Sequence, residues 1–171
     1  MKIICLGDSF TQGYLVDKEN YTRFLEKAGF LVRNLGVNGS TTEEMLNRYE
    51  RLKGADKKDI LVVFGATNDF LNGVSVEFAY QNLKRILNIR KVEKTILVIP
   101  PYIEEEEVYI FYKEVNGKID DLAEKLGNIR QNKDVSLIDA REISCRYIDG
   151  IHLARDFHQK LAEKILREIN D

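Results

Sequence analysis

The chain has 171 residues, of which 44% are apolar and 32% are charged, a balance typical of one soluble globular domain. Its 26 basic and 28 acidic residues are interspersed and give a net charge of -2, so the sequence lacks the basic surface that nucleic acid requires. No apolar stretch approaches the roughly 20 residues of a membrane span. Because Met1 and Lys2 lead directly into an apolar segment rather than a signal peptide, we expect a cytoplasmic protein.

Short apolar runs with strand character alternate with longer amphipathic segments along the whole chain. The predicted strands are Ile3–Leu6, Phe30–Leu35, Ile60–Phe64, Thr95–Ile99 and Val135–Ile138. The predicted helices cover residues 19–28, 41–53, 76–91, 106–126 and 154–169. This alternation predicts a flavodoxin-like, three-layer α/β/α fold with a five-stranded parallel sheet. Since the sequence contains no linker, repeat or low-complexity stretch, we expect a single domain over residues 1–171.

The residues that could take part in catalysis or binding follow the predicted strands. Ser9 follows the first strand, Asn38 and Gly39 follow the second, Asn68 and Asp69 follow the third, and the segment 149–152 comes after the fifth. In an open α/β sheet, ligands bind beyond the carboxyl ends of the strands. The sequence therefore predicts one functional site at that edge of the sheet.

A serine, a histidine and an aspartate in this set could perform nucleophilic catalysis. Ser9 lies at a predicted helix start, where it serves either as a nucleophile or as an N-cap. A serine hydroxyl needs a base, and the chain has only 2 histidines. His152 is the better candidate because Asp149, three residues earlier, could orient its ring. His158 lies within the last predicted helix, where we expect a partly exposed, solvated or structural side chain.

Acyl transfer also requires hydrogen-bond donors around the negatively charged oxygen of the tetrahedral intermediate. Three candidates are the backbone N–H groups of Ser9 and Gly39 and the side-chain amide of Asn68. A role in turn geometry is the alternative for both Gly36 and Gly39, and we favour it for Gly36. For Asn68 the alternative is a cap at the end of a strand.

Four segments together resemble the sequence blocks of the SGNH, or GDSL, hydrolases, in the order of that family and over nearly the whole chain. These segments are Gly7-Asp8-Ser9, Asn34 to Gly39, Asn68-Asp69 and Asp149-Gly150-Ile151-His152. Because of the last block and the residues after it, the chain most resembles the small thioesterase I/lysophospholipase branch. Small arylesterases and carbohydrate acetylesterases share the same scaffold.

The resemblance implies a role for each matching residue. Ser9 would be the nucleophile, His152 the general base and then acid, and Asp149 the group that orients His152. Ser9, Gly39 and Asn68 would form the oxyanion hole. No metal or cofactor is expected, and the partner would be a small-molecule ester or thioester substrate.

Two further residues of the blocks would be supports, and two positions depart from the family pattern. Asp8 and Asp69 would bond neighbouring backbone rather than react. Ala66 stands where the family has a glycine two positions before the asparagine, so the backbone near Asn68 is expected to run differently. Leu153 replaces the proline often found after the histidine.

These observations predict a serine hydrolase that cleaves carboxylic ester or thioester bonds of small or lipid-like acyl substrates through an acyl-serine intermediate. A carbohydrate O-acetylesterase is the alternative within enzymes. Apolar side chains near the site could line an acyl groove, stack on a sugar, or simply pack beneath the loops: Phe10, Phe70, Leu71, Tyr102 and the segment 108–111. A non-catalytic, flavodoxin-like binding module is the alternative outside enzymes, although the turn after the first strand lacks the phosphate-binding Walker pattern.

Overall fold

A five-stranded, all-parallel sheet forms the centre of the protein. The computed structural model describes residues 1–104, 110–131 and 133–170. The strands are β1 (Lys2–Gly7), β2 (Leu31–Gly36), β3 (Ile60–Phe64), β4 (Lys94–Ile99) and β5 (Val135–Asp139). They lie in the order β2-β1-β3-β4-β5. The flavodoxin-like, three-layer α/β/α fold predicted from the sequence is therefore confirmed.

Helices connect the strands and cover both faces of the sheet. They are α1 (Ser9–Gln12), α2 (Tyr21–Lys27), α3 (Thr42–Glu50), α4 (Thr67–Leu71), α5 (Val76–Asn88), α6 (Ile110–Gly127) and α7 (Arg155–Asn170). The predicted helix start at 106 lies outside the described residues. The sequence predicts a helix start at Ser9 but no extent for α1, and it predicts no helix at α4, because four or five residues show no helical period. Among the described residues, no helix is both long and apolar enough to cross a membrane.

Alternating side chains of the strands build a hydrophobic core on each side of the sheet. In β1, Ile3 and Cys5 pack with side chains of α2 and α7, whereas Ile4 and Leu6 pack with side chains of α3, α5 and α6. All four are fully buried. Both faces of β1 are therefore apolar, as parallel strands between two helical layers require.

The carboxyl ends of β1 and β2 lie against helix α1, and a glycine permits this close approach. Gly36 ends β2, and a Cβ atom there would collide with the backbone nitrogen of Gln12. The turn role expected for Gly36 is therefore wrong, because the residue lies in a strand whose backbone touches a helix. Just beyond it, the N–H of Val37 donates to the carbonyl of Gly7 at 3.1 Å. This packing brings the segment after β2 next to Ser9.

Candidate active site

Ser9 is the first residue of α1, and Asp8 alone separates it from the end of β1. Its side chain is not the N-cap of that helix, because Asp8 has this role and accepts the N–H of Phe10 at 3.0 Å. The Ser9 Oγ instead lies 2.9 Å from Nε2 of His152. Ser9 is only 4% exposed, so its hydroxyl lies in a protected position with its hydrogen bond directed at an imidazole.

His152 and Asp149 extend this contact into a chain of hydrogen bonds. Nδ1 of His152 lies 2.7 Å from Oδ2 of Asp149. The imidazole contacts two aromatic rings, with the Phe10 centroid at 5.5 Å and the Tyr14 centroid at 5.0 Å. The structure thus places Ser9, His152 and Asp149 in series, with the two ring nitrogens facing opposite partners.

A tight turn gives Asp149 its position. Its Oδ1 accepts the N–H of Ile151 at 3.1 Å and the N–H of His152 at 2.7 Å, while Oδ2 is left for the imidazole. Although partial burial raises the pKa of Asp149, these donors and the nearby imidazole lower it on balance. Leu153, which replaces the proline of the family pattern, is buried and forms a β-bridge with Tyr147 at the base of this turn.

Gly39 presents its backbone to solvent beyond the end of β2. Its φ of +76° is in the left-handed region that favours glycine, and among the described residues no atom lies within 4 Å of the place where a Cβ would stand. In the described part of the chain, the N–H groups of Ser9 and Gly39 donate to no other protein group. Both donors are therefore available to a ligand.

Asn68 is the second residue of α4, directly beyond the end of β3. Its Nδ2 donates to the carbonyl of Ser40 at 3.1 Å and faces Oδ2 of Asp8 at 3.5 Å. Ala66, the N-cap of α4, has a φ of +100°, a backbone conformation that favours glycine. Holding an alanine there costs about 1–3 kcal/mol. The side chain of Asn68 nonetheless points toward the residue that precedes Ser9.

Two buried carboxylates support these segments. Asp69 accepts the N–H of Thr42 at 2.8 Å and its hydroxyl at 2.6 Å, which joins α4 to the start of α3. Burial raises the pKa of Asp69, although the bonds from Thr42 oppose this. Burial also raises the pKa of Asp8, to about 7, against the lowering effect of the Phe10 N–H. Neither carboxylate contacts the His152 ring, so both fit the supporting role implied for them.

Three residues of the site were missed by the sequence analysis. Tyr14 lies edge-on to the His152 ring, and Arg48 and Ser40 join the ends of the first two strands to the segment that contains Gly39. An arginine within an amphipathic helix is usually interpreted as a solvent-exposed side chain. The sequence did not reveal the hydrogen-bond acceptors of Arg48, because they lie in distant segments. Only the helical phase of Arg48, three residues after the buried Met45, indicates a position near the core.

The apolar residues considered for a substrate groove divide into core and surface. Phe10 and Phe70 are buried, and Leu71 packs against the core, so packing explains these three. Val108 and Tyr109 lie outside the described residues, and Phe111 is exposed. Of the described residues in this set, Tyr102 lines a groove.

This groove of about 540 Å³ lies between α6 and the loops that follow β4 and β5. Its walls combine the rings of Tyr102 and Tyr147 with the polar side chains of Glu104, Lys113 and Asp120. The groove adjoins the His152 turn, because the N–H of Glu104 donates to the carbonyl of Gly150 at 2.7 Å. A substrate bound to Ser9 would therefore have a polar and aromatic surface nearby.

The expectation that His158 is partly exposed is wrong. The side chain is 2% exposed and packs near the ring of Phe10, with centroids 6.3 Å apart. Its position three and four residues before Leu161 and Ala162 places it on the apolar face of α7, a spacing that was visible in the sequence. Within the described residues, its Nδ1 is buried without a hydrogen-bond partner. Burial, together with the nearby His152, lowers the pKa of His158 to about 4.

This buried histidine makes the stability depend on pH. Because the pKa of His158 is about 4 in the folded state and near 6.5 when unfolded, acid protonates the unfolded chain first and favours unfolding. Acidification from pH 7 to pH 5 changes the free energy of unfolding of both the parent and His158→Gln. We expect the variant to lose about 2 kcal/mol less than the parent over this range. Urea unfolding at both pH values measures this difference.

The parent and His158→Gln must be compared because Asp8 changes the free energy of unfolding with pH in the opposite direction to His158. Its raised pKa means that the folded state takes up a proton first, so acid favours folding through this group in both proteins. The contribution of Asp8 cancels in the comparison. Equal pH dependence of parent and variant would show that His158 is protonated in the folded protein.

Among the described residues, no group of three or more His, Cys, Asp and Glu side chains is arranged to hold a metal ion.

The sequence matches a known family over most of its length. The profile of the GDSL-like lipase/acylhydrolase family matches residues 5–160. Taken with the parallel sheet and the serine at its edge, this match defines an esterase of the GDSL, or SGNH, type. The chain belongs to the GDSL-like lipase/acylhydrolase family. Among curated proteins, no sequence matches the chain.

Solved structures of bacterial proteins share the fold at low sequence identity. A member of the lipolytic protein G-D-S-L family from Veillonella parvula is 20% identical, with a TM-score of 0.79. A carbohydrate acetylesterase family member from Sinorhizobium meliloti is 18% identical, with a TM-score of 0.78, and the aryl esterase of M. smegmatis is 17% identical, with a TM-score of 0.79. Each match covers 99% of this chain and 98% of the other.

Proposed function

We propose that this esterase hydrolyses carboxylic esters or thioesters of small or flexible acyl groups through a covalent acyl intermediate on Ser9. The observation that carries this proposal is the hydrogen-bonded series in which Ser9 Oγ lies 2.9 Å from His152 Nε2 and His152 Nδ1 lies 2.7 Å from Asp149. This arrangement can take a proton from the hydroxyl during attack and stabilise the imidazolium that forms.

The two half-reactions use the same groups. Ser9 Oγ attacks the acyl carbon while its proton passes to Nε2 of His152, and the resulting imidazolium donates this proton to the leaving alcohol or thiol. Water then enters and gives a proton to Nε2 as its oxygen attacks the acyl-serine. Collapse of the second intermediate releases the carboxylic acid, and the proton returns to Ser9.

The negative charge of each tetrahedral intermediate requires donors at the carboxyl ends of β1, β2 and β3. We assign this role to the amide of Asn68 and to the N–H groups of Ser9 and Gly39, which have no partner within the part of the chain that the structure describes. Donors fixed in advance act mainly on the transition state, and removing one costs about 10²–10³ in kcat.

A carbohydrate O-acetylesterase is the second candidate. It is favoured by the groove beside the His152 turn, because tyrosine rings next to polar and charged side chains suit a sugar better than a lipid chain. One of the similar structures is also that of a carbohydrate acetylesterase family member. In this case the acyl group is acetate and the sugar is the leaving group.

Initial rates on p-nitrophenyl esters from acetate to decanoate, with Ser9→Ala protein as the blank, test the proposal. A Ser9-dependent rate that peaks at medium chains supports a thioesterase or lysophospholipase type of substrate. A rate on acetate alone supports the deacetylase, which acetylated sugars then test directly. Absence of a Ser9-dependent rate on every chain length contradicts the proposal.

The left-handed backbone of Gly39 provides a further prediction. We expect Gly39→Ala to lower kcat by about 10-fold, because an alanine avoids this conformation at a cost near 1–2 kcal/mol and shifts the N–H away from the oxyanion. Gly39→Asn should retain more activity, since asparagine tolerates a positive φ better. Steady-state kinetics of both variants measure the effect.

Gly54 is a matched control for this change. It has a φ of +75° and, like Gly39, has no described atom near the place of a Cβ, but it lies in the loop before β3 and away from the site. Gly54→Ala should lower stability by a similar amount and leave kcat unchanged. Equal kcat for Gly39→Ala and Gly54→Ala would remove Gly39 from the oxyanion hole.

A further inference from the structure

The guanidinium of Arg48 joins the carboxyl ends of the first two strands. Arg48 lies in the last turn of α3 and is half-buried. Its Nε donates to the carbonyl of Leu35 in β2 at 3.0 Å, and its Nη2 donates to the carbonyl of Gly7 in β1 at 2.9 Å. These are the strands that precede Gly39 and Ser9.

The same guanidinium also binds Ser40, the residue after Gly39. Nη1 and Nη2 each donate to Ser40 Oγ at 3.2 Å. Ser40 is 2% exposed, its N–H donates to Val37 at 3.1 Å, and its carbonyl accepts the amide of Asn68 at 3.1 Å. Of the three assigned oxyanion donors, Ser40 is therefore linked to Gly39 by a peptide bond and to Asn68 by a hydrogen bond.

We propose that Arg48 is a positioning residue that holds the oxyanion donors Gly39 and Asn68 in place through Ser40. This inference rests on the proposed function. The amide of Asn68 has two hydrogens, and it donates to the carbonyl of Ser40 at 3.1 Å and faces Oδ2 of Asp8 at 3.5 Å. The shorter bond to Ser40 fixes the orientation of the amide, and the longer contact with Asp8 is the one that a substrate oxygen would replace. Moving Ser40 would displace both donors.

The chemistry of the contacts favours positioning over charge pairing. All acceptors of Arg48 are neutral oxygens, and in the described part of the chain the side chain forms no ion pair. Three acceptors in different directions match the planar guanidinium with its five N–H groups, whereas the compact ammonium of lysine cannot reach all three in one geometry.

The helix that carries Arg48 is itself firmly anchored. A capping box formed by Thr41 and Glu44 fixes the start of α3, and Asp69 accepts two hydrogen bonds from Thr42. Asp69 is the neighbour of Asn68. Arg48 therefore extends from α3, a helix that hydrogen bonds hold against α4, and its side chain reaches the segment after β2.

Steady-state kinetics of Arg48→Met, Arg48→Lys and Ser40→Ala test this role, with Arg51→Met as the matched control. Arg51 ends the same helix, and its side chain is exposed. We expect Arg48→Met to lower kcat by about 10- to 100-fold with KM within about 2-fold, because the donors act in the transition state. Arg48→Lys should recover only part of this loss, and Arg51→Met should match the parent.

Two readouts separate positioning from general structural damage. The affinity for a trifluoromethyl ketone, which forms a tetrahedral adduct with Ser9, should fall by the same factor as kcat/KM. If Arg48 acts through Ser40, the double variant Arg48→Met/Ser40→Ala should be no slower than Arg48→Met, so the two effects are not additive. Thermal unfolding verifies that each variant is folded.

A kcat within about 2-fold of the parent for a folded Arg48→Met would overturn the inference, as would a raised KM at unchanged kcat. Should Arg48→Met fail to fold, Arg48→Lys and Ser40→Ala decide, and parent-like kcat in both overturns it. A parent without Ser9-dependent hydrolysis overturns the proposed function as well. A fully active Arg48→Met in an active parent overturns this role alone.

Discussion

Replacing Ser9 by alanine is expected to lower ester hydrolysis by about 10⁴-fold or more, because the covalent pathway is lost. The same change should abolish labelling by a fluorophosphonate, which reacts with activated serine hydroxyls. The fold should be unaffected, since Asp8 rather than Ser9 caps α1 and the Ser9 side chain has His152 as its hydrogen-bond partner. Rates, labelling and thermal unfolding of parent and variant together measure this.

Ser144→Ala is a suitable control for the loss of a hydroxyl. Ser144 is exposed in the loop after β5, where its carbonyl accepts a hydrogen bond from the ammonium of Lys160. Its replacement should leave both labelling and hydrolysis at the level of the parent. Labelling that survives in Ser9→Ala would place the nucleophile at another residue and overturn the assignment of Ser9.

The position of the site could be predicted from the sequence because it follows from topology. Parallel strands such as β1 and β3 are apolar on both faces and read as continuous runs, so their ends were visible. Once the strands are parallel, Ser9 and Asn68 must emerge at one edge of the sheet. The order of the elements also places His152 beyond the end of β5, but its contact with Ser9 depends on the loop after β5, because β3 and β4 lie between β5 and β1.

Contacts between distant segments were not predictable in the same way. Arg48 bonds oxygens 8 to 41 residues away in the sequence, and no local pattern encodes such a partner. The burial of His158 is encoded in its helical phase relative to Leu161 and Ala162, although its polar neighbours Arg155 and Gln159 favour an exposed face. The short helices α1 and α4 depend on tertiary packing rather than on a periodic pattern.

Asp149→Asn is the sharpest test of how His152 is oriented. In the parent, Oδ1 of Asp149 holds the turn by accepting two N–H groups, and Oδ2 alone faces Nδ1 of His152. An asparagine keeps an oxygen for the turn and places an NH₂ group opposite the imidazole. Nδ1 then accepts a hydrogen bond, so the proton of the neutral ring moves to Nε2, which can no longer accept a proton from Ser9.

The expected result is a fall in kcat of about 10³- to 10⁴-fold at neutral pH with KM little changed, because substrate binding does not require the imidazole. Asp156→Asn, an exposed carboxylate in the first turn of α7, is the matched control and should retain the activity of the parent. Steady-state kinetics measure both. If Asp149→Asn kept kcat within a few-fold of the parent, the turn alone would orient His152 and the carboxylate would have no part in catalysis. The predicted loss follows because the two oxygens of Asp149 have different roles. Asparagine keeps the oxygen that holds the turn and replaces only the oxygen that faces the His152 ring with an NH₂ group.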